Sequence, residues 1–473
     1  MAISMKNLFS HLKNRGINIA LGPILFCIIS FLVPFDGMSE TSKYTFGITS
    51  WMAAWWVSEV IAIQATALLP LILFPLFGVI DLKTAAMPYA HPYIFLFLGG
   101  FILALAIEKW DLHKRIALNI IAIFGTSPKQ LIGGVMAATA FLSMWISNTA
   151  TAVMMLPIAL SVIRSLALSE NSKFAESMLL GVAYSASIGG IATLIGTPPN
   201  LVFASFIEQK MHRVITFMEW MSWAFPLALF ILVCTWYILT KSLHSEVSES
   251  LLSEVQMEKL QPMKSDERKV LWVFVLTALA WILRSTLIEQ IFPQVNDTLI
   301  ALITALILFT IKSSDGKTLI QWKDTQKLSW GSLILFGGGL SLASAFDKSG
   351  LANWMTEWIS TWKHLHPALI LFLTLLFMNF LTEITSNLAA TVVILPLLLP
   401  IAISMGIDPY YFLAGTAISA SAAFMLPVAT PPNTLVFSSG HIRIQRMIRI
   451  GFKLNILSVI IIFTFVQLLI FKF

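Results

Sequence analysis

The chain has 473 residues, 57% of them hydrophobic and only 11% charged. A soluble protein needs about 25% charged residues to cover its surface, so the missing solvent is lipid and an all-α polytopic membrane protein is expected. The net charge of +6 does not argue for nucleic acid, because the basic residues are scattered between apolar segments instead of forming a patch.

A membrane span needs roughly 20 mostly apolar residues. Lys6, Lys13 and Arg15 precede a run that is uncharged from Gly16 to Phe35. That run is long for a signal peptide and has no well-placed small-residue cleavage site, so it reads as a retained first span. The expected spans are 17–36, 46–62, 64–80, 91–108, 176–210, 215–240, 269–290, 297–312, 331–347, 411–438 and 447–471, eleven in all. The 176–210 and 411–438 segments each carry a Pro-Pro pair, so neither is one continuous helix. Cys27 and Cys234 both lie in apolar runs, which argues against a disulfide framework.

Two uncharged or nearly uncharged stretches fit no single span. One runs from Gln130 to Ile163 with Ser147-Asn148-Thr149 in its middle; the other runs from His366 to Gly406 with Thr385-Ser386-Asn387 near its centre. Each is expected to be a re-entrant hairpin whose tip is buried in protein or lines a cavity. Lys109, Lys114, Arg115 and Lys129, the 241–270 and 312–327 loops, and Arg443, Arg446 and Arg449 then share one side with the N-terminus. The positive-inside rule makes that side cytoplasmic and leaves the C-terminus outside. Lys43, Lys83 and Lys348 fall opposite, with Lys210 and Arg213 a local exception.

The two halves repeat. Gly99-Gly100, Leu103-Ala104, Lys109 and Leu112 match Gly338-Gly339, Leu342-Ala343, Lys348 and Leu351 at an offset of 239. Ser147-Asn148, Ala150, Val153 and Leu156-Pro157 match Ser386-Asn387, Ala389, Val392 and Leu395-Pro396 at the same offset. Thr197-Pro198-Pro199-Asn200 matches Thr430-Pro431-Pro432-Asn433 at an offset of 233. Five crossings separate the glycine-bearing spans, an odd number, so the repeats are inverted. Inverted repeats with interrupted helices point to a transport site at the bilayer midplane.

At the hairpin tips, Ser147, Asn148 and Thr149, and Thr382, Thr385, Ser386 and Asn387, supply hydroxyl and amide oxygens. The proline breaks at 196–200 and 429–433 free backbone carbonyls. Hard, neutral oxygens suit a dehydrated sodium ion, and the helix that restarts after each break offers its N-terminus to a carboxylate.

These paired Ser-Asn motifs, each followed by a Thr-Pro-Pro-Asn break, resemble the divalent anion:sodium symporters, the family of INDY-type di- and tricarboxylate carriers. The resemblance covers nearly the whole chain. It implies a homodimer in the cell inner (plasma) membrane, with transport regions at 130–240 and 363–473 that move elevator-fashion against scaffold helices at 1–129 and 271–362. The 241–270 loop becomes a cytoplasmic connector. The resemblance also implies one sodium at Ser143, Ser147, Asn148 and Gly196, and a second at Thr382, Thr385, Ser386, Asn387 and Ala429. Substrate carboxylates would meet Asn148, Thr149, Thr197 and Pro198 from one half, and Asn387, Thr430 and Pro431 from the other. Leu388 departs from the pattern, because a third hydroxyl is common in the family at that point and leucine has none to offer.

Glu383 adjoins the second tip and could orient it; Glu59 lies near a span end and is expected to meet water or a neighbouring helix; His91 is expected at the interface. Glu108-Lys109 and Asp347-Lys348, at equivalent span ends, read as local pairs. The sequence holds no HExxH, GxSxG or Walker A motif, so an enzyme is not expected. The expected function is sodium-coupled symport of C4-dicarboxylates (succinate, malate, fumarate) or citrate, with sodium as coupling ion and no cofactor. An anion exchanger or sodium:sulfate symporter on the same scaffold is the nearest alternative. A channel fits poorly, because polarity is concentrated at two points instead of along a continuous lining.

Overall fold

The structure, a computed structural model, describes residues 15–125, 127–165, 172–241, 243, 261–360 and 366–470. Lys6, Lys13 and most of the 241–270 connector lie outside them. Among the described residues every regular element is helical, apart from one isolated bridge between Lys312 and Thr318. The protein is an all-α polytopic membrane protein, and among the described residues six helical stretches are by themselves long and apolar enough to cross a membrane.

In chain order, α1 (Arg15–Cys27) continues into a π-helical turn, Ile28–Leu32, and packs on α2 (Glu40–Ser58). The third expected span is two pieces, a single turn at Ile63–Thr66 and α3 (Leu69–Leu76), because Pro70 in the first turn of α3 has no N–H with which to continue the preceding turn. Next come α4 (Pro92–Lys109) and the short α5 (Leu112–Phe124). The first hairpin is α6 (Pro128–Ser143) and α7 (Asn148–Ser165), followed by the broken pair α8 (Lys173–Ile191) and α9 (Pro198–Met211), then α10 (Phe217–Thr240). The second half follows the same order. It comprises α11 (Ser265–Leu283), α12 (Asp297–Thr310), α13 (Trp330–Ser349) and α14 (Leu351–Ser360). The second hairpin is α15 (Pro367–Leu381) and α16 (Asn387–Ser404), and α17 (Pro409–Ser421), α18 (Pro431–Ser438) and α19 (Ile444–Ile470) complete the chain.

Local chemistry sets the hairpin boundaries. Ser127 and Gln130 form a capping box at the start of α6, with Pro128 at the first helical position where its missing N–H costs nothing. His366 and Pro367 do the same work for α15, the imidazole accepting from the Ala368 N–H at 3.2 Å. At a rise of 1.5 Å per residue the four arms span roughly 22–27 Å, against a hydrocarbon thickness of about 30 Å, and each polar tip lies between two apolar arms.

The repeats interleave. α7 of the first half packs against α18 of the second, and α16 of the second packs against α9 of the first. The repeated glycines sit at two equivalent exchanges. A Cβ on Gly99 of α4 would lie 2.6 Å from the Ala301 carbonyl oxygen on α12, and one on Gly338 of α13 would lie 2.5 Å from that of Ala67. Helix backbones approach this closely in lipid only through small residues. At the centre α8 is buried along its whole length, in contact with α6, α7, α10, α17 and α18.

The expected local pairs do not form. Lys109 binds Asp324 at 2.7 Å, and Asp347 binds Lys210 from the far end of α9. The acid and base at each span end are adjacent in sequence, and residues one apart on a helix point in different directions. Glu59 ends α2 in a left-handed conformation (φ 45°) and is exposed, as its position near a span end suggested.

Candidate functional site

The first hairpin tip and the break after α8 form a cradle of oxygens. The Ser143 Oγ lies 2.9 Å from Asn148 Oδ1 and 2.6 Å from the Ala186 carbonyl oxygen. One hydroxyl proton can serve only one of these acceptors fully, so the cluster holds more lone pairs than protons. Gly196 joins it: a Cβ built on Gly190 would sit 2.5 Å from Asn148 Oδ1 and 3.2 Å from the Gly196 carbonyl oxygen. Ser143, Asn148 and Gly196 are thus brought together, joined by the Ala186 carbonyl and packed on the bare backbone of Gly190. Ser147 stands apart in role, its oxygen accepting from the Ala150 N–H at 3.4 Å as a cap for α7.

The break itself is stapled. Asn200 donates through Nδ2 to the carbonyls of Gly190 at 3.0 Å and Thr193 at 2.7 Å, and Thr193 donates to the Met144 carbonyl of the hairpin tip at 2.5 Å. The second half repeats the staple at the 233 offset, with Asn433 Nδ2 donating to Ala423 O at 3.5 Å and Leu426 O at 3.0 Å. Both asparagines belong to the Thr-Pro-Pro-Asn motifs, and this staple explains why the motif ends in asparagine.

The second tip is arranged differently. Thr382 donates to its own helix at Asn379 O, 3.0 Å, and Thr385 to Leu381 O, 2.9 Å, the usual habit of hydroxyls in helices. Ser386 caps α16, accepting from the Ala389 N–H at 3.4 Å. Asn387 Oδ1 is buried and has no hydrogen-bond partner among the described residues. Ala429 is buried in the second break. Glu383 reaches across from the tip to that break, where its carboxylate accepts from the N–H groups of Met425 (2.8 Å) and Leu426 (2.7 Å) and from Asn455 Nδ2 (2.6 Å).

Unpaired backbone N–H donors fall mainly at the tips. Pro198-Pro199 and Pro431-Pro432 have no N–H to give, and the first N–H after each pair is taken: Asn200 by the Thr197 carbonyl, Asn433 by the Thr430 hydroxyl. The N–H groups of Asn148 and Thr149, and of Asn387 and Leu388, make no hydrogen bond among the described residues. Thr149 is exposed, whereas the Thr197 hydroxyl is buried and uncommitted as a cap. Pro198 is half-buried and Pro431 exposed. Leu388 keeps its N–H, but its side chain is packed in the core.

With the site's geometry described, comparison decides its kind. The family described as sodium:sulfate symporter transmembrane region matches residues 16–470. The chain belongs to that family. Membership makes it a membrane transporter and not an enzyme. It is 38% identical to the sodium-dependent dicarboxylate transporter SdcS of Staphylococcus saprophyticus over 472 residues, covering 96% of this chain and 91% of the relative. Its identity to SdcS of Staphylococcus aureus is 39% over 465 residues, 94% of this chain and 89% of the relative. Two solved transporters share the fold. The YdaH transporter of Alcanivorax borkumensis superposes with a TM-score of 0.59 at 14% identity, covering 80% of this chain and 85% of its own. MtrF of Neisseria gonorrhoeae superposes with a TM-score of 0.59 at 12% identity, covering 97% and 95%.

Reading the sequence alone missed Gly190, Ala186, Thr193 and Asn455, which the structure places against the predicted residues of the candidate site. Asn455, a lone amide in an apolar C-terminal span, carried a signal of the kind Glu383 did. Gly190 and Ala186 carried none, since small residues abound throughout the chain.

Proposed function

We propose that the protein is a sodium-coupled symporter of C4-dicarboxylates such as succinate, malate and fumarate, or of citrate. The observation that carries the reading is the cradle of neutral oxygens from Ser143, Asn148, Gly196 and Ala186, set beside helix N-termini with free N–H groups. Hard cations take oxygen ligands, and neutral oxygens let a monovalent ion leave on each cycle. A second ion at Asn387, Ser386, Thr382, Thr385 and Ala429 would use the free Asn387 Oδ1. The relatives' names supply the substrate class: each is a sodium-dependent dicarboxylate transporter.

In this reading the transport regions 130–240 and 363–473 move as a body against scaffold helices at 1–129 and 271–362, in a homodimer. The N-terminus is cytoplasmic and the C-terminus outside. Substrate carboxylates dock at Asn148, Thr149, Thr197 and Pro198 from one repeat and Asn387, Thr430 and Pro431 from the other.

Uptake of radiolabelled succinate into proteoliposomes tests the proposal. An inward sodium gradient is expected to drive accumulation, with unlabelled citrate competing more strongly than sulfate. Accumulation without sodium, or competition by sulfate alone, would replace this reading with an exchanger or a sulfate carrier.

A further inference from the structure

Glu383 is 1% exposed, and every contact it makes is to an N–H donor: Met425 N, Leu426 N and Asn455 Nδ2. Both carboxylate oxygens accept, and among the described residues Glu383 donates no hydrogen bond. That pattern belongs to the ionised form. Among the described residues no basic side chain pairs with it. A buried charge without a counter-ion is costly, so a compensating cation is called for.

Its location says which one. Glu383 lies between Thr382 and Thr385 on the second tip and holds the segment that leads into Ala429 and Thr430. The Leu426 carbonyl accepts from both the Ala429 N–H (3.2 Å) and Asn433 Nδ2 (3.0 Å), so the carboxylate's grip on Leu426 passes directly to the second break. The first repeat makes the same join without charge. Met144 stands where the repeat places Glu383, and the link is the neutral Thr193 hydroxyl on the Met144 carbonyl. The second cradle also differs in shape, with Ala423 in place of Gly190.

We propose that Glu383 is the fixed counter-charge and positioning residue of the second sodium site, making the two ion sites electrostatically unequal. It acts through the 424–426 segment and through its field, while the oxygens that touch the ion belong to its neighbours. The inference rests on the assignment of that ion site made above.

The test titrates purified protein in detergent with sodium chloride against choline chloride at constant ionic strength, following the melting temperature, and repeats the titration by succinate uptake in proteoliposomes. Glu383→Gln is expected to raise the half-saturating sodium about tenfold in both assays and to lower the Hill coefficient, with Glu383→Asp partly restoring both. Asn455→Lys, which supplies a permanent ammonium beside the carboxylate, is expected to weaken sodium binding to a similar degree while raising the melting temperature without sodium. It also decides the matter if Glu383→Gln does not fold. Unchanged sodium dependence in Asn455→Lys, or in a folded Glu383→Gln, overturns the proposal. Asn387→Ala run alongside separates the two levels of inference. If it too keeps normal sodium dependence, the second ion site is misassigned; if it alone loses it, only the role of Glu383 fails.

Discussion

At Gly190 the absence of a side chain lets Asn148 Oδ1 and the Gly196 carbonyl close in on the helix backbone. A methyl group there would lie 2.5 Å from the amide oxygen, well inside van der Waals contact, and would push that oxygen out of the cluster. Gly190→Ala is therefore expected to remove sodium stabilisation at the first site and reduce sodium-driven uptake to background, while expression and detergent behaviour stay near normal. Normal sodium dependence in this variant would remove Gly190 from the cradle. Leu388 is the opposite case, a side chain expected to weaken substrate grip that proves to be 7% exposed and part of the core. Leu388→Thr adds a hydroxyl to an apolar pocket and should lower stability by about 1–3 kcal/mol. A well-made hydrogen bond to a charged group is worth about 1.5–3 kcal/mol, so the succinate KM should shift by much less than the roughly tenfold or more that such a bond would give. A tenfold fall in KM would show that position 388 faces the anion after all.

At the scale of elements, both broken helices are held by the last residue of their motif. Asn200 and Asn433 satisfy carbonyls that the proline breaks release, and an unsatisfied backbone group at membrane depth costs several kcal/mol. Asn200→Leu should lower the melting temperature and lose sodium stabilisation together, and Asn433→Leu should do the same in the second half; an unchanged melting curve would mean the carbonyls find other partners. The breaks and tips were legible in the sequence because proline pairs and polar triplets are rare in apolar runs, and their doubling at offsets of 239 and 233 gave the repeat. What was not legible is which element each one meets. That α7 packs on α18 and α16 on α9 is a non-local fact with no local pattern to announce it. The same holds for ion pairs: Lys109 with Asp324 and Lys210 with Asp347 join residues far apart in sequence, so adjacency misled. Spans survived better than their ends, since the apolar run sets a crossing while prolines and left-handed residues such as Glu59 set where the helix stops.

For the whole molecule, the proposed elevator motion requires that some contact between the transport and scaffold regions break on each cycle. Lys210 at the end of α9 is such a contact: its side chain is 4% exposed, donates to the Ala343 carbonyl at 2.6 Å and pairs with Asp347 of α13. α9 lies in the 130–240 region and α13 in the 271–362 region, so the pair spans the proposed sliding surface. Elsewhere the regions are joined by Asp297 of α12, which accepts from the Phe217 N–H at the start of α10 at 2.8 Å. If the two regions are separate bodies, a covalent link at 210 and 347 should stop transport without touching the site. In a background of Cys27→Ser and Cys234→Ser, Lys210→Cys with Asp347→Cys is expected to be joined by a short bifunctional methanethiosulfonate reagent, which bridges the gap left by the long lysine side chain where a direct disulfide would not reach. The cross-linked protein should retain sodium-dependent thermal stabilisation by succinate but lose uptake, and reduction should restore uptake to the level of the two single variants. Each single variant breaks the ion pair alone and should transport, because a pair with one partner about half exposed holds one facing state over the other only weakly. Uptake that continues at the reduced rate in fully cross-linked protein would mean that α9 and α13 travel together, and the boundary between moving and fixed parts would have to be drawn elsewhere.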